Sequence, residues 1–323
     1  MSQPSPILTT AEPEPQVYRV QLGDWSSLVE ATKPGITRLV TVTSMVGFAM
    51  ATLAKGAGTT PVYLGAVICL IGTALSASGA NAINQFMERD RDARMQRTAR
   101  RPLPSGRLSP GVALWGGVTL AILGVGVLTM VGLMPALVSL ACVLSYVFLY
   151  TPLKPRSTMA TFIGAIPGGL PPLIGWTVAT KAQGLDSIRE PLGLSLVVLM
   201  LVWQIPHFLA IAWMYRDDYA KGGYRVLPVI DTDGRVTAAT MALWAAAMLP
   251  ASLWPAFLAP ELLGRTYIAI ASVTGAAYLV LALRLVASRE RPRARAVFFA
   301  SIIHLPVLLI AMVAEALIRH FTR

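Results

Sequence analysis

The sequence is poor in charge, poorest in acid, and nearly devoid of the residues that build metal or disulfide frameworks. Of 323 residues, 13% are charged, 16 are Asp or Glu, three are His and two are Cys. With 55% hydrophobic residues, so little charge excludes a soluble fold, because one core could not bury that much apolar side chain. Two cysteines exclude a disulfide scaffold, and Cys69 and Cys142 both fall in apolar runs, where cysteine packs as a small hydrophobe. The first 30 residues lack the basic start and apolar core of a secretory signal. They also lack the charge of a mitochondrial presequence, since Glu12, Glu14, Asp24 and Glu30 outnumber the single Arg19. These absences lead us to expect a prokaryotic plasma-membrane protein, with residues 1–30 as a mobile cytoplasmic tail and 31–323 as a single polytopic domain.

What the chain has in excess is apolar runs of about 20 residues, the length that crosses roughly 30 Å of hydrocarbon. Nine are found, at 36–55, 61–87, 110–131, 133–151, 159–180, 191–215, 236–259, 263–287 and 295–318. The net charge of +11 is sorted by side. The N-terminal segment and the loops after spans two, four, six and eight carry 21 Lys and Arg, and the opposite side carries six. The positive-inside rule then places the N-terminus and even-numbered loops in the cytoplasm and the C-terminus outside. A nucleic-acid partner is excluded, since it needs a contiguous soluble basic face.

In a membrane protein the placement of the few acids points to chemistry. Seven fall in two loops on the same predicted side. In NQFMERDRDARM, Asn84, Glu88 and Asp92 are spaced four and four, which on a helix makes one polar stripe. Oxygen-only donors suit a hard cation such as Mg²⁺, with Mn²⁺ as an alternative. A helix end with solvated charges is the plainer reading; the amide of Asn84, one turn deeper on the same stripe, argues against it. The next segment, RMQRTARRPLPSGR, supplies Arg97 and Arg101 among five arginines, and YTPLKPRST supplies Lys154 and Arg156. Acids followed by guanidinium groups suit a diphosphate, whose oxygens Arg holds in bidentate fashion. The second acidic loop, AWMYRDDYAKGGYRVLPV, interleaves Asp217 and Asp218 with Arg216 and Lys221.

These motifs resemble those of the intramembrane aromatic prenyltransferases, whose shared signature is an Asn with two acids at four-residue spacing. Glu88 stands where many members have Asp. The second family motif, two Asp four apart, is replaced here by the adjacent Asp217 and Asp218, which resembles the branch that farnesylates heme. TKPGITRLVTVTS, RTARRPLPSGRLSP, GAIPGGLPPLIGW and WQIPHFLAIAWMYRDDY are similar to that branch too, although Gly35 departs from its usual Arg. The resemblance implies an all-α membrane fold of nine helices around a central cavity opening to the cytoplasmic side. It implies farnesyl diphosphate and protoheme IX as substrates, and a downstream heme A synthase or terminal oxidase assembly as candidate recipient. It also implies catalytic roles for Asn84, Glu88, Asp92, Asp217 and Asp218, with the metal on Asn84, Glu88, Asp92 and Asp218, and diphosphate on Arg97, Arg101, Lys154, Arg156, Arg216 and Lys221. Independently, span five holds Gly164, Pro167, Gly168, Gly169, Pro171, Pro172 and Gly175, which break a helix and so require a cavity or protein around it.

His207 and His304 lie at similar depths, roughly 12 to 14 Å from the same predicted surface at 1.5 Å per residue. Imidazole is a common heme ligand, so either is a candidate for the heme iron; hydrogen bonding to a neighbouring helix is the alternative. Two rival functions remain open from the sequence. One is prenyl transfer to another aromatic or tetrapyrrole acceptor. The other is a secondary transporter, although its charged groups would gather at the bilayer midplane and not at one mouth.

Overall fold

The computed structural model describes residues 25–56, 60–180 and 184–322. Among these residues there is no strand, and nine helices are long and apolar enough to cross a membrane: Pro34–Lys55, Val62–Asp92, Pro110–Thr129, Leu133–Leu153, Ala160–Ala179, Pro191–Met214, Arg235–Leu258, Arg265–Ser288 and Arg291–Phe321. They are called spans one to nine. Each overlaps its expected run. Spans five and six are central, with 72% and 67% of their apolar windows buried against 28% for span three. Span one packs on spans two and five, and span six touches five, seven and nine.

Four local features position the site. Span two has 31 residues, about 46 Å at 1.5 Å per residue. It therefore outruns a hydrocarbon core of about 30 Å, and its last turns carry the acidic stripe on rigid helix. Span three lies close against it because glycines face each other. A side chain at Gly79 would overlap the backbone of Gly117 and Ala121, and one at Gly124 would overlap the backbone of Gly72 and Ser76.

Span four closes with a π-helical turn, Ser145–Tyr150. Pro152 has no N–H to continue the ladder, and the Thr151 backbone N–H and hydroxyl both donate to the Tyr146 carbonyl. The wider turn stacks Tyr146 on Tyr150, with ring centroids 5.6 Å apart. Span five breaks at Leu170 into Ala160–Gly169 and Pro171–Ala179, as its prolines require. Its second half crosses span one so tightly that a methyl at Gly175 would overlap the Ser44 carbonyl.

The last residues of the segment expected as a tail, 25–30, are part of the folded unit. Trp25–Ala31 is helical, with Ser27 and Ala31 fully buried one turn apart. Gln85 Nε2 donates to the carbonyls of Glu30 and Ala31, and Arg107 grips the Glu30 carboxylate at 2.8 and 3.1 Å. The amide satisfies helix-end carbonyls that otherwise lack partners, so this turn belongs to the folded unit. The rest of the expected tail, residues 1–24, lies outside the described residues.

Candidate active site

The stripe on span two forms as its spacing predicts, and it is buried. Asn84, Glu88 and Asp92 are 1%, 4% and 1% exposed, beneath the loop of residues 93–108. Burial of carboxylates at this depth demands partners. Lys154 Nζ lies 2.9 Å from Glu88 Oε1, and Arg101 Nη1 lies 2.6 Å from Asp92 Oδ2. Asn84 donates to Thr151 Oγ1 at 2.8 Å and accepts a short hydrogen bond from Lys33 Nζ.

Lys33 is held in the left-handed region at φ 50°, which an L side chain adopts only against a steric cost. Burial and the nearby Arg101 guanidinium push its ammonium down to about 7, against the pull of Glu88 and Asp92. Lys154 goes the other way. Burial disfavours its charge, but the Glu88 carboxylate and the phenols of Tyr150, Tyr224 and Tyr219 outweigh that and hold it well above the usual lysine value. Its ammonium also sits over the rings of Tyr150 and Tyr224, at 5.3 and 4.8 Å.

These groups line one end of a cavity of about 340 Å³. Lys33, Asn84, Glu88, Asp92, Arg97, Arg101 and Lys154 supply its polar end, and Ile36, Leu39, Val40, Val143, Met200 and Ile211 are among its apolar walls. Tyr146, Tyr150 and Trp203 add aromatic surface. One chamber therefore offers charge for a phosphorylated head and hydrocarbon for a chain.

The second acidic loop meets the first directly, but in a different role from the one expected. Asp218 accepts from the backbone N–H of Gln96 and Arg97, at 3.3 and 3.1 Å, and clamps the arginine loop in place. Its oxygens are engaged by peptide groups in this structure, away from the cavity that Glu88 and Asp92 line. Asp217 has a side chain 91% exposed and lies near Arg216. Arg216 in turn packs over Trp213 and donates to the Thr232 carbonyl, and Lys221 is exposed at the helix end. None of these four lines the cavity. Arg156 also misses it, lining a separate pocket described below. Adjacent acids on a short surface helix, Arg216–Lys221, diverge by about 100°, which explains why at most one of them could turn inward.

Among the described residues no three His, Cys, Asp or Glu side chains converge, so the donor set reduces to Glu88, Asp92 and the amide of Asn84. Asp92 Oδ1 is buried without any hydrogen-bond partner. An orphaned carboxylate oxygen beside a second carboxylate fits a hard cation, and hard oxygen donors are what Mg²⁺ and Mn²⁺ share.

The two histidines part company. His207 lines the cavity, stacked between Trp203 and Phe298 at 4.8 and 5.3 Å, with Nδ1 2.7 Å from Ser301 Oγ. Ser301 donates its only proton to the Phe298 carbonyl, so it must accept from His207 Nδ1–H. That tautomer leaves the Nε2 lone pair free. His304 is outside the cavity, 2% exposed, with Nδ1 2.9 Å from Thr274 Oγ1 and Nε2 3.4 Å from Ser252 Oγ. Thr274 donates its own proton to the Ile270 carbonyl, so His304 Nδ1–H is the donor to it; the ring is kept from a heme by its place outside the cavity.

Sequence reasoning did not select Lys33, Tyr146, Gln204 or Ser301 for the site. Lys33 and Ser301 carry no spacing signal, since each reaches its partner from another span. Gln204 had one available: a polar amide inside an apolar span three residues before His207.

With the geometry in hand, the comparisons with known proteins identify the class. A model of the UbiA prenyltransferase family matches residues 40–303, and the chain belongs to that family. Among its relatives are the protoheme IX farnesyltransferases of Solibacter usitatus (strain Ellin6076), 41% identical over 87% of this chain and 95% of the relative, and of Anaeromyxobacter sp. (strain Fw109-5), 40% identical over 88% and 92%. The fold also matches solved structures. A study of digeranylgeranylglyceryl phosphate synthase gives a TM-score of 0.72 at 15% identity, over 90% of this chain and 98% of that one. A UbiA homolog from Archaeoglobus fulgidus bound to GPP and Mg²⁺ gives 0.59 at 14% identity, over 89% and 99%.

Proposed function

We propose that the protein transfers a farnesyl group from farnesyl diphosphate to a vinyl group of protoheme IX, with addition of water, to give heme O. The observation that carries this reading is the single cavity that joins the Asn84, Glu88, Asp92 stripe and its surrounding cations to an apolar chamber bearing His207. The farnesylating activity named for the relatives, and the GPP and Mg²⁺ held by the Archaeoglobus structure, support it.

Asn84, Glu88 and Asp92 would hold Mg²⁺, which when bound supplies charge neutralisation for the departing diphosphate. Lys154 and Arg101 are now paired with the carboxylates, and with Lys33 and Arg97 they are the groups that grip the diphosphate oxygens once the cation takes the carboxylates. The C–O bond of the allylic diphosphate breaks and its electron pair leaves with the diphosphate. The farnesyl carbon then bonds the vinyl carbon, and water adds to the resulting cation with loss of a proton. The stacked faces of Tyr146 and Tyr150 stabilise positive charge during that interval and the apolar walls limit premature quenching by water. His207 Nε2 orients the heme by binding its iron, with Ser301 fixing the tautomer.

The site opens toward the cytoplasm, the side of the 21 basic residues, in a prokaryotic inner membrane. A heme A synthase or a terminal oxidase assembly is the recipient we propose for the product. The test is direct: purified protein with Mg²⁺, farnesyl diphosphate and heme B, analysed by liquid chromatography and mass spectrometry. A heavier, more hydrophobic heme of the expected mass is the predicted product. Folded protein that yields none under these conditions, yet prenylates another aromatic acceptor, would overturn the choice of heme.

A further inference from the structure

Glu88 lines a second pocket as well, of about 230 Å³, whose polar walls are Arg91, Arg156, Thr151 and Tyr224. Tyr224 is 2% exposed, and its hydroxyl lies beside the Glu88 carboxylate without completing a hydrogen bond to it. A buried hydroxyl left in that state is unfavourable unless a ligand completes it. Arg156 makes no ion pair or side-chain hydrogen bond among the described residues. Arg91 donates to the carbonyls of Gly222 and Gly223, both at 3.2 Å, and lies over the Tyr224 ring at 5.8 Å. With the Glu88 carboxylate on the same wall neutralised by Lys154, the two guanidinium groups and the hydroxyl form a seat for an anionic oxygen group.

Met87 lines this pocket and also an apolar groove of about 600 Å³ between spans two, three and four. Along span three the groove runs from Leu114 to Gly126, roughly 18 Å at 1.5 Å per residue, close to one leaflet of a hydrocarbon core of about 30 Å. Spans two and three are antiparallel. Met87 near the end of one, Leu114 near the start of the other and Phe148 near the end of span four therefore mark the head of the groove, beside the basic pocket. Gly126 marks its tail, where a side chain would meet open space.

We propose that pocket and groove together form a binding site for an anionic phospholipid, its phosphate on Arg91, Arg156 and the Tyr224 hydroxyl and one acyl chain along span three. The groove faces the bilayer, and its length and the position of the charges match one leaflet. A choline headgroup would bring its own cation against two guanidiniums.

The experiment is native mass spectrometry of the full chain, titrated with phosphatidylglycerol or phosphatidylcholine of matched acyl chains. The expected result is about tenfold tighter binding of phosphatidylglycerol, the effect of roughly one charge-assisted contact. Arg156→Ala should erase the preference, Arg156→Lys should retain part of it, and Gly126→Phe should weaken both lipids together. Tyr224→Phe removes the orphaned hydroxyl, so it should raise the thermal midpoint in phosphatidylcholine nanodiscs and not in phosphatidylglycerol. Equal affinity for the two lipids, or a preference that survives Arg156→Ala, would overturn the proposal. Displacement of the lipid by inorganic diphosphate, regardless of Gly126→Phe, would assign the pocket to free phosphate. Displacement by farnesyl diphosphate alone would make it a substrate port, and either result ends the lipid reading.

Discussion

Each carboxylate of the stripe is balanced by its own base, and this pairing sets what single substitutions do. Asp92→Asn removes the negative charge beside Arg101 and replaces one of the two carboxylate oxygens by an NH2 that cannot ligate a cation, while Glu88→Gln leaves the Lys154 ammonium buried without its counter-ion. We expect either variant to lower kcat by about 100-fold or more, the scale of losing preorganised charge stabilisation at a transition state. Single-turnover product formation checks this, and turnover near the wild-type rate would remove that residue from the metal site. The histidines should separate by assay. His207→Ala is expected to shift the absorption bands of heme-loaded protein, and to lower stability as well through the lost stacking on Trp203 and Phe298. His304→Ala should leave the spectrum unchanged and cost about 2 to 4 kcal/mol of stability, because it opens a cavity in a fully buried contact between spans seven, eight and nine.

At the scale of elements, the site depends on how closely spans two and three approach. Gly79 and Gly124 permit that contact, and any side chain there meets backbone and not a movable side-chain tip. Gly79→Val should therefore force the helices apart. The expected cost is about 1 to 3 kcal/mol, typical of overpacking, read as a lowered midpoint in a thermal-unfolding assay. Gly126→Ala, on span three but facing open space, is the control and should be near neutral. The π-turn of span four is a second element-level device. Its expression in sequence is only Thr151–Pro152, two residues common in ordinary helix starts, which is why the stacked Tyr146 and Tyr150 could not be foreseen from spacing.

At the scale of the whole molecule, the sidedness of charge makes a prediction about orientation. Cysteine introduced at Arg100, exposed in the arginine loop, should be shielded from a membrane-impermeant maleimide added to intact cells. Cysteine at Lys55, at the opposite end of the bundle, should be labelled. The reverse pattern would invert the proposed topology and place the site outside.

The sequence by itself determined the nine spans, the break in span five and the stripe of Asn84, Glu88 and Asp92. Apolar run length, proline chemistry and helical period are all local, and a chain cannot satisfy its backbone in a bilayer by many other means. Only the tertiary structure decided which partners those residues meet. Lys33 reaches Asn84 across 51 residues of chain, and Ser301 sets the His207 tautomer across 94. Asp218 is turned to clamp a loop, and His304 lies outside the cavity that His207 lines although the sequence places both at similar depth. Those outcomes follow from packing between distant segments, which no periodicity along the chain encodes.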